Sequence, residues 1–157
     1  MSQVLSDSVL TLSQRLYDIA TANKATWGVQ DVWYGDQVNL PRTPALCIEP
    51  GRKTRQFAGA PDMTDNNFDV FFLLYHGAVR ETQTTRKEAI TCAEAIEKYF
   101  QVNHFNLANA SGDQIALFGY FREVDPGYVY KNGTLYSAVR MTWNGYTKTS
   151  LRNPPPA

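Results

Sequence analysis

Asn67-Phe-Asp-Val-Phe-Phe-Leu-Leu-Tyr-His76 is the segment that most restricts how this chain can fold. At the two-residue period of a β-strand, Phe68, Val70, Phe72 and Leu74 point one way and Phe71, Leu73 and Tyr75 the other. A strand that is apolar on both sides belongs in the middle of a sheet with cover on each face. The segment therefore predicts a central strand over 67–76.

Two helices supply cover for one face. Residues 5–20 place Leu5, Val9, Leu12, Leu16, Ile19 and Ala20 on one stripe at 3.6 residues per turn, with Ser6 or Asp7 as the cap. Leu10 and Tyr17 lie off that stripe and either widen the core face or touch a second subunit. Residues 85–100 form the second helix, with Ala89, Cys92, Ala93, Ile96, Tyr99 and Phe100 inward and Thr85–Glu88 as a capping box. Glu94 and Glu97 fall on its polar side and read as solvated charge.

Shorter strands are expected at 28–34 and 45–49, the second stopped by Pro50-Gly51. Pro41 and Pro44 keep the connection between them extended. Another strand runs from Ile115 to Val124 and ends at Asp125-Pro-Gly127. A short strand at 128–130 then turns at Asn132-Gly133, the signature of a type I′ hairpin, into a last strand through Leu135, Val139, Met141 and Trp143. The order predicts an α+β fold: a mainly antiparallel sheet with two helices packed on one face. The 157 residues make a single domain, with a core at about 5–148 and a flexible Pro-rich tail at 149–157.

Two helices cannot cover both faces. Phe71, Leu73 and Tyr75, with Phe118, Tyr120 and Tyr136, leave the second face aromatic. A bare apolar face of that size predicts self-assembly.

Residues 51–67 are either a long loop or a protruding hairpin. Arg52, Lys53 and Arg55 stand on one limb and Asp62 and Asp65 on the other, with Phe57 between them. The limbs either pair with each other or reach a neighbour's complementary limb. A loop of this length in a compact domain is usually functional or disordered.

Chemistry finds little support. Lys+Arg and Asp+Glu are 15 each, so the net charge is zero, which argues against a general nucleic-acid binder. Exposed aromatics on a sheet can stack bases, but no basic-aromatic motif accompanies them. Phosphate loops, nucleophile elbows, metal-protease helices and dinucleotide fingerprints are absent. Cys47 and Cys92 fit no zinc or redox spacing and read as small buried hydrophobes. His76 and His104 read as boundary residues, and Asp69 as a strand acid pairing across to Arg122 or Arg140. No catalytic, cofactor or metal residue is expected. Neither a basic segment followed by an apolar run at the start nor a stretch of about 20 apolar residues is present, which predicts a soluble intracellular domain.

Taken together, residues 8–148 resemble the tail-terminator and head–tail joining (neck) proteins of long-tailed double-stranded-DNA phages. The likeness rests on the N-terminal helix, Pro44-Ala-Leu-Cys-Ile-Glu-Pro-Gly51, the long loop, Asn67–Tyr75, the Thr85–Phe100 helix and the strands after Asp125-Pro-Gly. It implies a virion protein, assembled in the host cytoplasm as a homo-oligomeric ring, typically a hexamer. Such a ring caps the tail tube, meets the head connector and lets DNA pass without binding it specifically. The implied partners are further copies of the chain, the tail-tube protein and connector or neck proteins, with no membrane and no catalysis. Arg52, Lys53, Arg55, Phe57, Asp62, Asp65, Phe71, Leu73 and Tyr75 are the candidate assembly residues. Other neck, head-completion or tail-tube subunits share the pattern, and a small ligand- or nucleic-acid-binding domain is the rival of a different class.

Overall fold

A computed structural model describes residues 2–60, 62–79 and 82–155. Pro61, expected as a chain breaker, and Pro156 and Ala157 of the tail lie outside the described residues. The elements run α1 (Val9–Asn23), β1 (Asp31–Tyr34), β2 (Ala45–Phe57), β3 (Met63–Ala78), α2 (Thr82–Asn103), β4 (Phe118–Lys131) and β5 (Thr134–Ser150). The strands form one sheet in the order β1-β2-β3-β5-β4, parallel between β1 and β2 and antiparallel elsewhere. Both helices pack on the same face, so the fold is α+β.

β3 is the central strand. Phe68, Val70, Phe72 and Leu74 are fully buried in one core with Leu12, Leu16 and Ile19 of α1 and Ala93, Ile96 and Phe100 of α2. Each of these side chains except the smaller Ala93 contributes about 1.5–3 kcal/mol by leaving water. Phe72 sits edge-on to both Phe100 and Phe121, with ring centroids 5.3 and 4.8 Å away. Trp143 on β5 lies flat across Gly119 of β4 and Gly145 of β5, which face each other in the ladder. A Cβ on Gly119 or Gly145 would lie 2.1 or 2.3 Å from an indole carbon, so any larger residue at either position displaces the ring.

Several boundaries differ from those the sequence predicts. α1 starts at Val9 and is capped by Ser8, whose Oγ accepts from the Thr11 N–H, not by Ser6 or Asp7. Leu5 precedes the helix. α2 starts at Thr82, three residues before the expected cap at Thr85. Pro50-Gly51 does not stop β2: a register shift between Pro50 and Lys53 absorbs both residues and the strand continues to Phe57. A Cβ at position 51 would lie 2.7 Å from the Asp69 carbonyl oxygen, so the bulge needs glycine there. Asp125-Pro-Gly127 lies within β4 and does not end it. β4 is an edge strand, where the N–H that proline lacks can face away from the ladder. The Asn132-Gly133 turn forms as predicted, with φ of 48° and 81°.

The second face also differs from its expected form. Residues 35–44 do not simply extend from β1 to β2: they fold across that face at one end of the sheet. Beneath them Cys47, Tyr75 and Ala138 are buried, with Trp33, Leu40, Leu73 and Tyr136 packed alongside. Asp36 accepts a hydrogen bond from the Tyr75 hydroxyl (2.8 Å) and pairs with Lys131 (2.9 Å). Lys131 also donates to the Gln37 carbonyl, and Asn132 to the Asn39 side chain. The chain thus covers Tyr75 by itself, without a second subunit.

Candidate assembly surfaces

Residues 51–67 are a hairpin and not an irregular loop. Lys53 to Phe57 pair with Phe68 to Thr64, and Met63 to Asn67 pair on their other side with Ser150 to Tyr146. β1 covers the outer edge of β2 only at residues 45–48. Among the described residues, no strand lies along the outer edge of β2 from Glu49 to Phe57. Gly59, with φ of 90°, turns the tip, closed by the Ala58 N–H on the Met63 carbonyl at 3.1 Å. Phe57 is 71% exposed there.

The charged limbs do not pair with each other, because they point to opposite faces. Lys53 and Arg55 point to the helix side and meet Asp7: Lys53 donates to its carbonyl and Arg55 to its carboxylate, both at 2.8 Å. Asp65 points to the open side, where it accepts from the Tyr146 hydroxyl and lies 4.0 Å from Lys148. That hydrogen bond is the main cause pushing the Tyr146 hydroxyl up to about 12. Thr149 and Ser150, expected in the flexible tail, are instead the last residues of β5 and pair with Thr64 and Met63. The Leu151 N–H that follows donates to the Asp62 carbonyl at 2.7 Å and ties the start of the tail to the hairpin. Arg52, in the bulge, is exposed. Exposed pairs such as Arg55–Asp7 stabilise by about 0–1 kcal/mol, so they orient the hairpin more than they hold it.

A buried polar ladder fastens the β3 limb of the hairpin to β5. Asn66 donates to Thr147 (3.1 Å) and Thr149 (2.8 Å), and the Thr64 hydroxyl donates to the Asn66 side-chain oxygen (3.3 Å). All four side chains are buried. Asn66→Ala leaves buried hydroxyls without partners and is expected to cost about 1–3 kcal/mol. A urea titration checks this, and an unchanged midpoint would show that the ladder contributes nothing.

Beyond residues 35–44, the open face is mixed and not purely aromatic. Phe71 and Leu73 are half-buried, and the Arg140 guanidinium lies 4.9 Å above the Phe71 ring. Asp69 pairs with Arg122 at 3.4 Å, as the sequence suggests, and accepts from Asn144 at 3.2 Å. Phe105, Phe118 and Tyr146 stack in a row, with centroids 6.0 and 5.1 Å apart. On α1, Tyr17 packs edge-on against Tyr34 within the chain, while Leu10 is exposed.

Cys47 and Cys92 are buried and free, and burial raises both thiols to about 11, which leaves them protonated at neutral pH. Burial also raises the Tyr75 hydroxyl, with the Asp36 hydrogen bond adding to it. Among the described residues no group of three or more His, Cys, Asp or Glu is placed to hold a metal ion, and no helix is long and apolar enough to cross a membrane.

Both histidines are held below the ordinary imidazole value. Burial lowers His76 against a small opposing pull from Glu88, and burial together with Arg15 lowers His104. The unfolded chain therefore binds protons that the folded chain refuses. Their contribution to stability is intact above about pH 6.5 and is lost as pH falls through the unfolded value toward the lowered folded one. Thermal melts from pH 7.5 to 5 should show this decline, and His76→Gln/His104→Gln should flatten it. A decline of equal slope in the double variant would assign it to other groups.

The contacts absent from the sequence reading are long-range ones: Asp7 with Arg55, and Asp36 with Tyr75 and Lys131. No local pattern encodes a pair 39 or 48 positions apart. No protein-family model matches this chain, and no curated protein matches it.

Proposed function

We propose that this chain is a structural ring subunit of a phage tail, a terminator that caps the tail tube and joins it to the head connector. The observation that carries the reading is the β2–β3 hairpin, anchored to β5 by the Asn66–Thr147–Thr149 ladder and open along the outer edge of β2. An uncovered strand edge is a template for another chain. The far edge of the sheet is β4, a different surface. Two unlike surfaces on one subunit suit heterologous contacts, which close into a ring when the rotation between neighbours divides a full turn. The balanced charge suits a channel through which DNA slides without being held. The likeness of the element order to neck proteins supplies the biological setting.

The test is the mass of the purified chain in solution across salt concentrations. A single oligomer of defined size is expected. Unlimited fibres would point to a tube subunit, and a monomer or dimer at every concentration would contradict the reading.

A further inference from the structure

The two ends of the sheet are complementary in direction, side and charge. β2 is antiparallel to β3, β3 to β5 and β5 to β4, so β2 and β4 run in opposite directions. A second copy placed beside the first in the same orientation presents its β2 antiparallel to the first copy's β4. That is the pairing with the stronger hydrogen-bond ladder. The helix sides of the two copies also stay aligned. Lys53 and Arg55 stand on the helix side of the free β2 edge, opposite the inward-facing Phe68 and Asn66 in the ladder.

On the helix side of β4, a groove of about 400 Å3 runs between the strand and α2, lined by Ile90, Glu94, Glu97, Phe121, Arg122 and Glu123. Arg122 turns to Asp69 on the open side, so Glu94 and Glu97 of α2 leave the groove acidic. Among the described residues, no strand lies along the outer edge of β4, and the Phe105 carbonyl engages its start at Gly119. We propose that residues 51–57 of one copy add as a strand to β4 of the next, with Lys53 and Arg55 reaching Glu94 and Glu97 across the groove.

The occupant is a second copy of this chain because the basic edge and the acidic groove belong to one molecule. The Asp7 contacts use one donor on each cation, and both keep further N–H groups to offer. β1 shields β2 only at residues 45–48, so the incoming copy is offset along the strand until its β1 clears the end of β4. A repeated offset of this kind is the shear that lets a sheet close on itself. Pro126 withholds one N–H, and the register shift between Phe121 and Glu123 interrupts the ladder, so the pairing is short.

This inference deepens the ring reading and rests on it, and a charge swap separates the two. One variant carries Lys53→Glu and Arg55→Glu with Asp7→Asn, so that no acid faces the new carboxylates. The other carries Glu94→Lys and Glu97→Lys. Each alone sets like charges across the interface and is expected to run as a monomer at a salt concentration where the parent is a ring. Mixed in equal amounts, they restore an oligomer of parental mass with alternating copies, while circular dichroism matches the parent throughout. A parent ring accompanied by a single variant that assembles equally well, or by a mixture that stays monomeric, overturns the edge pairing and spares the ring. A parent that is itself monomeric overturns both. Hydrogen exchange on the unaltered protein gives a second reading, free of any folding defect. Amides at 51–57 and 120–130 should slow at least tenfold between diluted and assembled protein, and unchanged exchange at both edges would overturn the pairing.

Discussion

Gly145→Ala should lower the stability of the folded chain by about 3 kcal/mol, measured from the urea midpoint, and Gly119→Ala should do nearly as much. The two glycines face each other across β4 and β5, and the Trp143 ring lies over both. Trp143 is fully buried, and a methyl group at either position occupies the space of the indole. The ring must leave its well or the strands must separate, because close-packed interiors have little slack. A double-mutant cycle isolates the cause. In a Trp143→Leu background the cost of Gly145→Ala should fall below about 1 kcal/mol, because residues that share a contact do not act additively. An equal cost in both backgrounds would place the strain elsewhere.

Phe72→Ala should cost about 3–5 kcal/mol, and Phe71→Ala only about 1 kcal/mol. The residues are adjacent on β3 but lie on opposite faces of the sheet. Phe72 is fully buried between the rings of Phe100 and Phe121, and its loss opens a cavity that two rigid aromatic rings cannot close. Phe71 is half-buried and gives up the cover of Arg140, whose charge stays in water. Against a total stability of about 5–15 kcal/mol, the first change approaches unfolding and the second does not. Paired denaturant titrations make the comparison. Equal losses would mean that β3 is shifted by one residue, since a one-residue slip exchanges the two faces.

The parts of the fold legible in the sequence are those with a local signature. The double apolar face of Phe68–Tyr75 marks the central strand, and Asn132-Gly133 marks the β4–β5 turn. The helix stripes identify the inward residues of α1 and α2, although Leu5 and Thr85 misplace their starts. Pro50-Gly51 and Asp125-Pro-Gly127 read as stops because proline cannot donate to a ladder. Both fall where that loss is tolerated, one beside a bulge on the open stretch of β2 and the other on edge strand β4. The cover over Tyr75 was illegible for another reason. Residues 35–44 carry few apolar side chains, and they are held down by Asp36, Gln37 and Asn39 through partners at 75, 131 and 132.

The same distinction separates the parts of the candidate surface. Charges at Arg52, Lys53, Arg55, Asp62 and Asp65 are visible in the sequence, which allows either a hairpin or a long loop at 51–67. The face each charge takes depends on the register shift after Pro50, which puts Lys53 and Arg55 on the helix side opposite Phe68 and Asn66. Glu94 and Glu97 look like ordinary solvated helix charge until β4 is placed beside them.

Electron microscopy of the purified full chain tests the central claim most directly. The account predicts closed rings of one size, hexamers on the family likeness, with an axial opening wide enough for a DNA duplex. Dispersed single copies even in concentrated protein, with no closed ring in any salt, would contradict it.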